Sequence, residues 1–137
     1  MANKDILHHS RLHDALGKLL ALANDGLPPF CVAVCDATGD LVAFLKMENA
    51  PRRVADIAKA KARTAAMMET TTRSLHERLV RENLTLADFC ASGFTSIAGG
   101  FPLKMDGQTL GGVGVSGRTP EQDEEMAQKL LSILTQM

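Results

Sequence analysis

The sequence predicts an α+β domain in which one antiparallel sheet is covered by helices, and three observations point to it. Helical periodicity opens and closes the chain. Two pairs of short apolar runs lie between, each pair joined by turn residues, and nowhere do strands and helices alternate as they do in a parallel βαβ sheet. With 137 residues, 45% of them hydrophobic and 23% charged, the chain has the composition of one folded domain with a single core. No linker, repeat or low-complexity stretch divides it, so residues 1–137 form one domain.

The first helix is expected from Asp5 to Ala23, where Leu12, Leu16, Leu19, Leu20 and Ala23 mark one face and Asn24-Asp25-Gly26 with Pro28-Pro29 stops it. Phe30 to Cys35 and Leu41 to Leu45 are apolar runs around Asp36-Ala37-Thr38-Gly39-Asp40, a strand–turn–strand pattern. Pro51 opens an Ala-rich helix from Arg52 to about Thr72, in which Val54, Ile57, Ala58, Ala62 and Ala65 keep helical spacing. A charged helix follows from Arg73 to Asn83, with Ser74 and Glu77 as its capping pair, and a short helical turn near Leu84 to Cys90. Ser92 to Ile97 is read as a short strand ended by Gly99-Gly100-Phe101-Pro102. Asp106-Gly107 then joins Leu103–Met105 to a Gly-rich strand running to Ser116, because that dipeptide supplies the positive φ angles of a two-residue turn. Thr119-Pro120-Glu121-Gln122 caps the last helix, whose apolar stripe is Met126, Leu130, Ile133 and Leu134.

Charge excludes one class of partner. Fifteen basic against sixteen acidic residues leave a formal charge of -1, too little field to hold a polyanion, and the absence of Trp and Tyr removes most stacking side chains. Nucleic acid is therefore not the expected partner. Neither a secretory leader nor a run of about 18 apolar residues is present, so a cytoplasmic protein without a membrane span is expected. Cys31, Cys35 and Cys90 are odd in number and lack metal-finger spacing, as reduced thiols would.

Gly112-Val113-Gly114-Val115-Ser116-Gly117 matches the dinucleotide fingerprint G-x-G-x-x-G in letters only. That fingerprint needs a second strand with an acidic residue about 20 positions on, and here the chain ends inside a helix. The Ser116-Gly117-Arg118 turn still precedes a helix N-terminus, where free N–H groups attract an anion. His8, His9 and His13 fall in the first helix, with His9 and His13 one turn apart. Imidazoles so placed suit an axial bond to haem iron or a two-point hold on a divalent metal, and equally a solvated helix face. His76 lies among Arg73, Glu77 and Arg78, as on a solvated face. Arg52, Lys59 and Arg63 share a face with Asp56, an arrangement that serves a propionate or phosphate as well as surface ion pairs. No Ser/His/Asp or Cys/His arrangement declares an enzyme.

The stretches from Val32 to Phe44, Lys61 to Ala65, Gly99 to Leu103 and Gly112 to Gly117, with Gln122-Asp123, resemble the GlcG/HbpS-like family, which includes the C-terminal domain of PduO-type corrinoid adenosyltransferases. The resemblance implies a profilin-like domain with a central antiparallel sheet of about five strands flanked by helices, assembled as a homo-oligomer. It also implies a small-molecule ligand, haem first and cobalamin second. A first-helix histidine would be the iron ligand, and His13, His9 and His8 are the matching positions, with His13 taken as the metal ligand. Gly99 and Gly100 would allow close backbone approach, and Arg52 or Arg118 would hold a carboxylate. Two alternatives stand beside this. One is an enzyme acting on a small organic or sugar acid between the Gly99–Pro102 loop and the Ser116–Arg118 turn; the other is an accessory module of a diol- or glycerol-metabolising enzyme.

Overall fold

The computed structural model describes residues 5–136. Its elements are α1 (His9–Leu22), β1 (Cys31–Asp36), β2 (Leu41–Lys46), α2 (Arg52–Met68), α3 (Thr72–Glu82), a 3₁₀ turn (Leu86–Phe89), β3 (Gly100–Met105), β4 (Gln108–Ser116) and α4 (Pro120–Gln136). The four strands form one antiparallel sheet in the order β2-β1-β4-β3. The two hairpins thus meet through β1 and β4, with Val32 opposite Val115 and Ala33 opposite Gly114.

Alternation along these two strands builds two unlike layers. Val32, Val34, Val113 and Val115 turn to the side of α1 and α4, where Leu12, Leu19, Phe30, Met126, Leu130 and Leu134 complete a core of large side chains. Cys31, Ala33 and Cys35 turn to the other side and meet Ala55, Ala58, Ala62 and Ala66 of α2. Gly112 and Gly114 lie there too: a Cβ on Gly112 would stand 2.5 Å from the Ala62 carbonyl oxygen, and one on Gly114 would collide with that of Ala58. Only glycine lets α2 rest directly on the strands.

The turns follow their local chemistry. Asp106 and Gly107 take φ of 55° and 76° in a two-residue β3–β4 turn, and Asp36 closes the first hairpin by accepting from the N–H groups of Thr38 and Asp40 at 3.0 and 3.1 Å. At α4 the capping box is complete: the Gln122 N–H donates to Thr119 Oγ1 and the Thr119 N–H to Gln122 Oε1, both at 3.2 Å.

Four expectations are corrected. The sheet has four strands, because Ser92–Ile97 spends its backbone groups on α2: Arg63 Nε donates to the Ser92 carbonyl at 3.0 Å and the Thr95 N–H to Thr64 Oγ1 at 2.9 Å. α1 begins at His9 rather than Asp5, since the Nδ1 of His8 accepts the Ser10 N–H at 3.2 Å and caps it. α2 stops at Met68 rather than Thr72, where Glu69 takes a left-handed φ of 57°. α3 is capped by Thr71, not Ser74; the Thr71 hydroxyl accepts the Ser74 N–H at 3.0 Å. Cys31 and Cys35 are buried free thiols, and Cys90 is exposed. No helix among the described residues is long and apolar enough to cross a membrane.

Candidate functional site

The first turns of α1 carry three exposed imidazoles. The rings of His8 and His9 stack with centroids 4.1 Å apart. Because His8 Nδ1 accepts a backbone N–H, its neutral ring carries the proton on Nε2 and offers a donor there, not a lone pair. His13, one turn beyond His9, differs. Its side chain is 91% exposed, and its Nδ1 lies 3.8 Å from Asp14 Oδ1. At that distance the carboxylate makes no hydrogen bond to the ring, so both nitrogens of His13 face solvent. His9, Ser10, His13 and Asp14 border an open depression of about 560 Å³.

A second polar constellation is closed. The Lys61 side chain runs from α2 past the end of the sheet, donating from Nζ to the Val115 carbonyl at 2.7 Å and to Asp123 Oδ2 of α4 at 3.3 Å. The two side chains are 1% and 4% exposed. Burial is the main influence on both: it lowers the Lys61 pKa against the pull of Asp123, and it raises that of Asp123 against the pull of Lys61. Asp123 Oδ1 accepts the Arg118 N–H at 3.0 Å, so the anion held at the Ser116–Arg118 turn is the chain's own carboxylate. Gly99, at φ 130°, leaves the space for this lysine, since a Cβ there would stand 2.6 Å from Nζ. Gly100 is packed against the Lys61 carbonyl and donates its N–H to Thr72 Oγ1 at 2.9 Å. Both glycines serve α2 and its neighbours, and the close approach expected for a ligand is taken by the protein itself. The sequence carried one signal of this pair: Lys61 interrupts the apolar stripe of Val54, Ala58, Ala62 and Ala65.

Arg118 is likewise spent inside the fold. Its side chain is 1% exposed and binds Asp25 through two bonds of 2.9 Å, donates from Nε to the Pro28 carbonyl at 2.7 Å, and lies over the Phe30 ring. Arg52 is open, 87% exposed and 3.9 Å from Asp56, on the helix that covers the sheet face opposite α1. His76 is exposed on α3 beside Arg73, Ser96 and Glu121, while Arg73 itself binds Glu124 at 2.8 and 2.9 Å. Among the described residues no three His, Cys, Asp or Glu side chains gather as a metal centre. Haem asks for less, a single exposed imidazole, and His9 and His13 are both exposed on α1.

Comparison with known proteins matches residues 7–132 to the family described as "Haem degrading protein HbpS-like". Protein GlcG of Escherichia coli K12 is 40% identical over 85 residues, which span 62% of this chain and 62% of that protein. The crystal structure of HbpS is similar with a TM-score of 0.78 at 30% identity, over 90% of this chain and 88% of that one. A PduOC:haem complex is similar with a TM-score of 0.74 at 28% identity, over 89% and 88%.

Proposed function

The chain belongs to the HbpS-like family, and from that premise we propose that it binds haem through His13, with His9 beside it, on a surface that a second copy of the chain completes. The observation that carries this reading is the exposure of the His13 ring, 91% open beside His9 at the mouth of one depression on α1. A solved relative in complex with haem supports the ligand class. When bound, haem supplies a redox-active iron; the chain's part is to ligate it, orient it and exclude water.

The second copy follows from coverage. Ligand sites bury roughly 70–90% of their ligand, whereas the face of α1 around His9 and His13 is open and lined by polar side chains. Arg52, on the opposite face of the sheet, would reach a propionate there from that second copy. Absorption titration of the purified protein with hemin tests the reading, with cobalamin in parallel. The expected result is a saturable Soret shift, lost in His13→Ala and kept in His8→Ala, with sedimentation showing an oligomer. Equal titrations of His13→Ala and the parent protein would remove His13 as the ligand. Tighter uptake of cobalamin than hemin would change the ligand class.

A further inference from the structure

On the sheet face away from the histidines, a cleft of about 330 Å³ opens between the β1–β2 turn, the outer side of α2 and the loop at Gly93. Two of the cations that share a helical face in the sequence meet there. Arg63 is fixed by the backbone, donating from Nε to the Ser92 carbonyl at 3.0 Å and from its NH1 nitrogen to the Gly39 carbonyl at 3.2 Å. Lys59 sits over the Phe44 ring, 4.6 Å from its centroid. Neither is in an ion pair among the described residues. Three acids stand nearby: Asp56, at the cleft wall, also faces Arg52, Asp36 accepts the N–H groups of its own turn, and Asp40 accepts the Thr38 hydroxyl at 3.3 Å.

We propose that this cleft binds a small organic monocarboxylate, its carboxylate held between Lys59 and Arg63 and its apolar tail against Leu41 and Ala60. Charge sets the class. The charged residues lining the cleft are Lys59, Arg63 and Asp56, and the Asp36 and Asp40 carboxylates also act on Cys35 at its floor, so the site suits a single negative charge and the surrounding acids repel a phosphate dianion more strongly. Pre-fixing Arg63 removes the ordering cost that a free arginine carries on binding. Leu41 is 46% exposed and supplies the apolar wall. Cys35, at the floor, binds no ligand covalently in this scheme: burial first, then Asp36, pushes its thiol up to about 11, so the thiolate is absent at neutral pH.

The test is a titration of ¹⁵N-labelled protein with butyrate, acetate and inorganic phosphate, followed at the Gly39 and Gly93 amides. Saturable shifts are expected with butyrate, weaker with acetate and weaker still with phosphate. Lys59→Gln should lower butyrate affinity roughly tenfold, the scale of a lost charge-assisted hydrogen bond, without lowering the melting temperature. Arg63→Gln should lose both binding and stability, because Arg63 also ties the two loops together. His13→Ala should bind butyrate unchanged, which separates this site from the haem reading. Non-saturating shifts, unchanged affinity in Lys59→Gln, or phosphate binding as tight as butyrate would each overturn the proposal.

Discussion

The two faces of the sheet are built on opposite packing rules, although the same two strands supply both. Toward α1 and α4 the fully buried inward residues of β1 and β4 are valines, and the helices answer with Leu and Met. Toward α2 the inward residues are Cys, Ala and Gly, and the helix answers with Ala. One layer is held by volume and the other by proximity of backbone to backbone. The difference teaches where each layer is fragile: the first loses stability when a side chain shrinks, the second when one grows. It also explains why the polar tie between the layers starts on α2. Only the close-set layer lets a lysine stem pass the sheet end at Gly99 and reach Asp123 of α4.

Breaking that tie should have the largest effect. Asp123→Asn leaves the buried ammonium of Lys61 without its counter-charge, and roughly 3–5 kcal/mol of stability should be lost in denaturant unfolding at neutral pH. The pH dependence has a definite sign. Burial lowers the folded-state pKa of Lys61 below 10.5, so the folded protein sheds this proton before the unfolded chain does. Without the Asp123 charge that pKa falls further, so the variant sheds the proton at lower pH than the parent does and its deficit shrinks as pH rises towards the parent's lowered value. A deficit that grew with pH would contradict the buried-charge account.

Truncation and enlargement probe the layers themselves. Leu130→Ala, on the large-residue face, should cost about 2–5 kcal/mol through the cavity it leaves. Gly114→Ala adds one methyl group where the Ala58 carbonyl already sits and should cost about 1–3 kcal/mol by pushing α2 outward. If Ala33→Val, on the α2 side, were neutral while Val34→Ala were costly, the close-set layer would be looser than its geometry indicates.

The smallest expected effect lies at the edge of the large-residue layer. Burial works against the Asp25 carboxylate, but the hydrogen bonds from Arg118 and the Leu27 N–H outweigh it and hold its pKa below 3.8. This contribution is present above pH 3.8 and is lost as pH falls through the lowered value. Asp25→Asn should thus lower the melting temperature at pH 7, by less than Leu130→Ala does, and match the parent protein in strong acid. A constant difference across that range would mean that the Asp25–Arg118 charge pair is not its source.

Much of this architecture was legible in the chain itself. Asp106-Gly107, Thr119-Pro120-Glu121-Gln122 and the stripe of α4 are local signals, and each does in the fold what its chemistry prescribes. The glycines of β4 were legible as sites of close packing, though not which element approaches them. Ser92–Ile97 misled because β propensity says nothing about Arg63 and Thr64, which capture its backbone groups from another element. The histidines of α1 were visible as candidates, and their inequality was not: the Ser10 N–H occupies Nδ1 of His8, which no local pattern announced.

The sequence by itself determined the fold class, the two hairpins and the cap of α4, because periodicity and turn chemistry act within a few residues. The tertiary structure alone decided that β1 pairs with β4, that Lys61 meets Asp123 across 62 positions and that Arg118 meets Asp25 across 93. Such partners are chosen by where helices cross the sheet and which charges burial then forces together, and no local pattern encodes that crossing. The same crossing turned Arg118, Gly99 and Gly100 into structural parts and left Lys59 and Arg63 facing an open cleft.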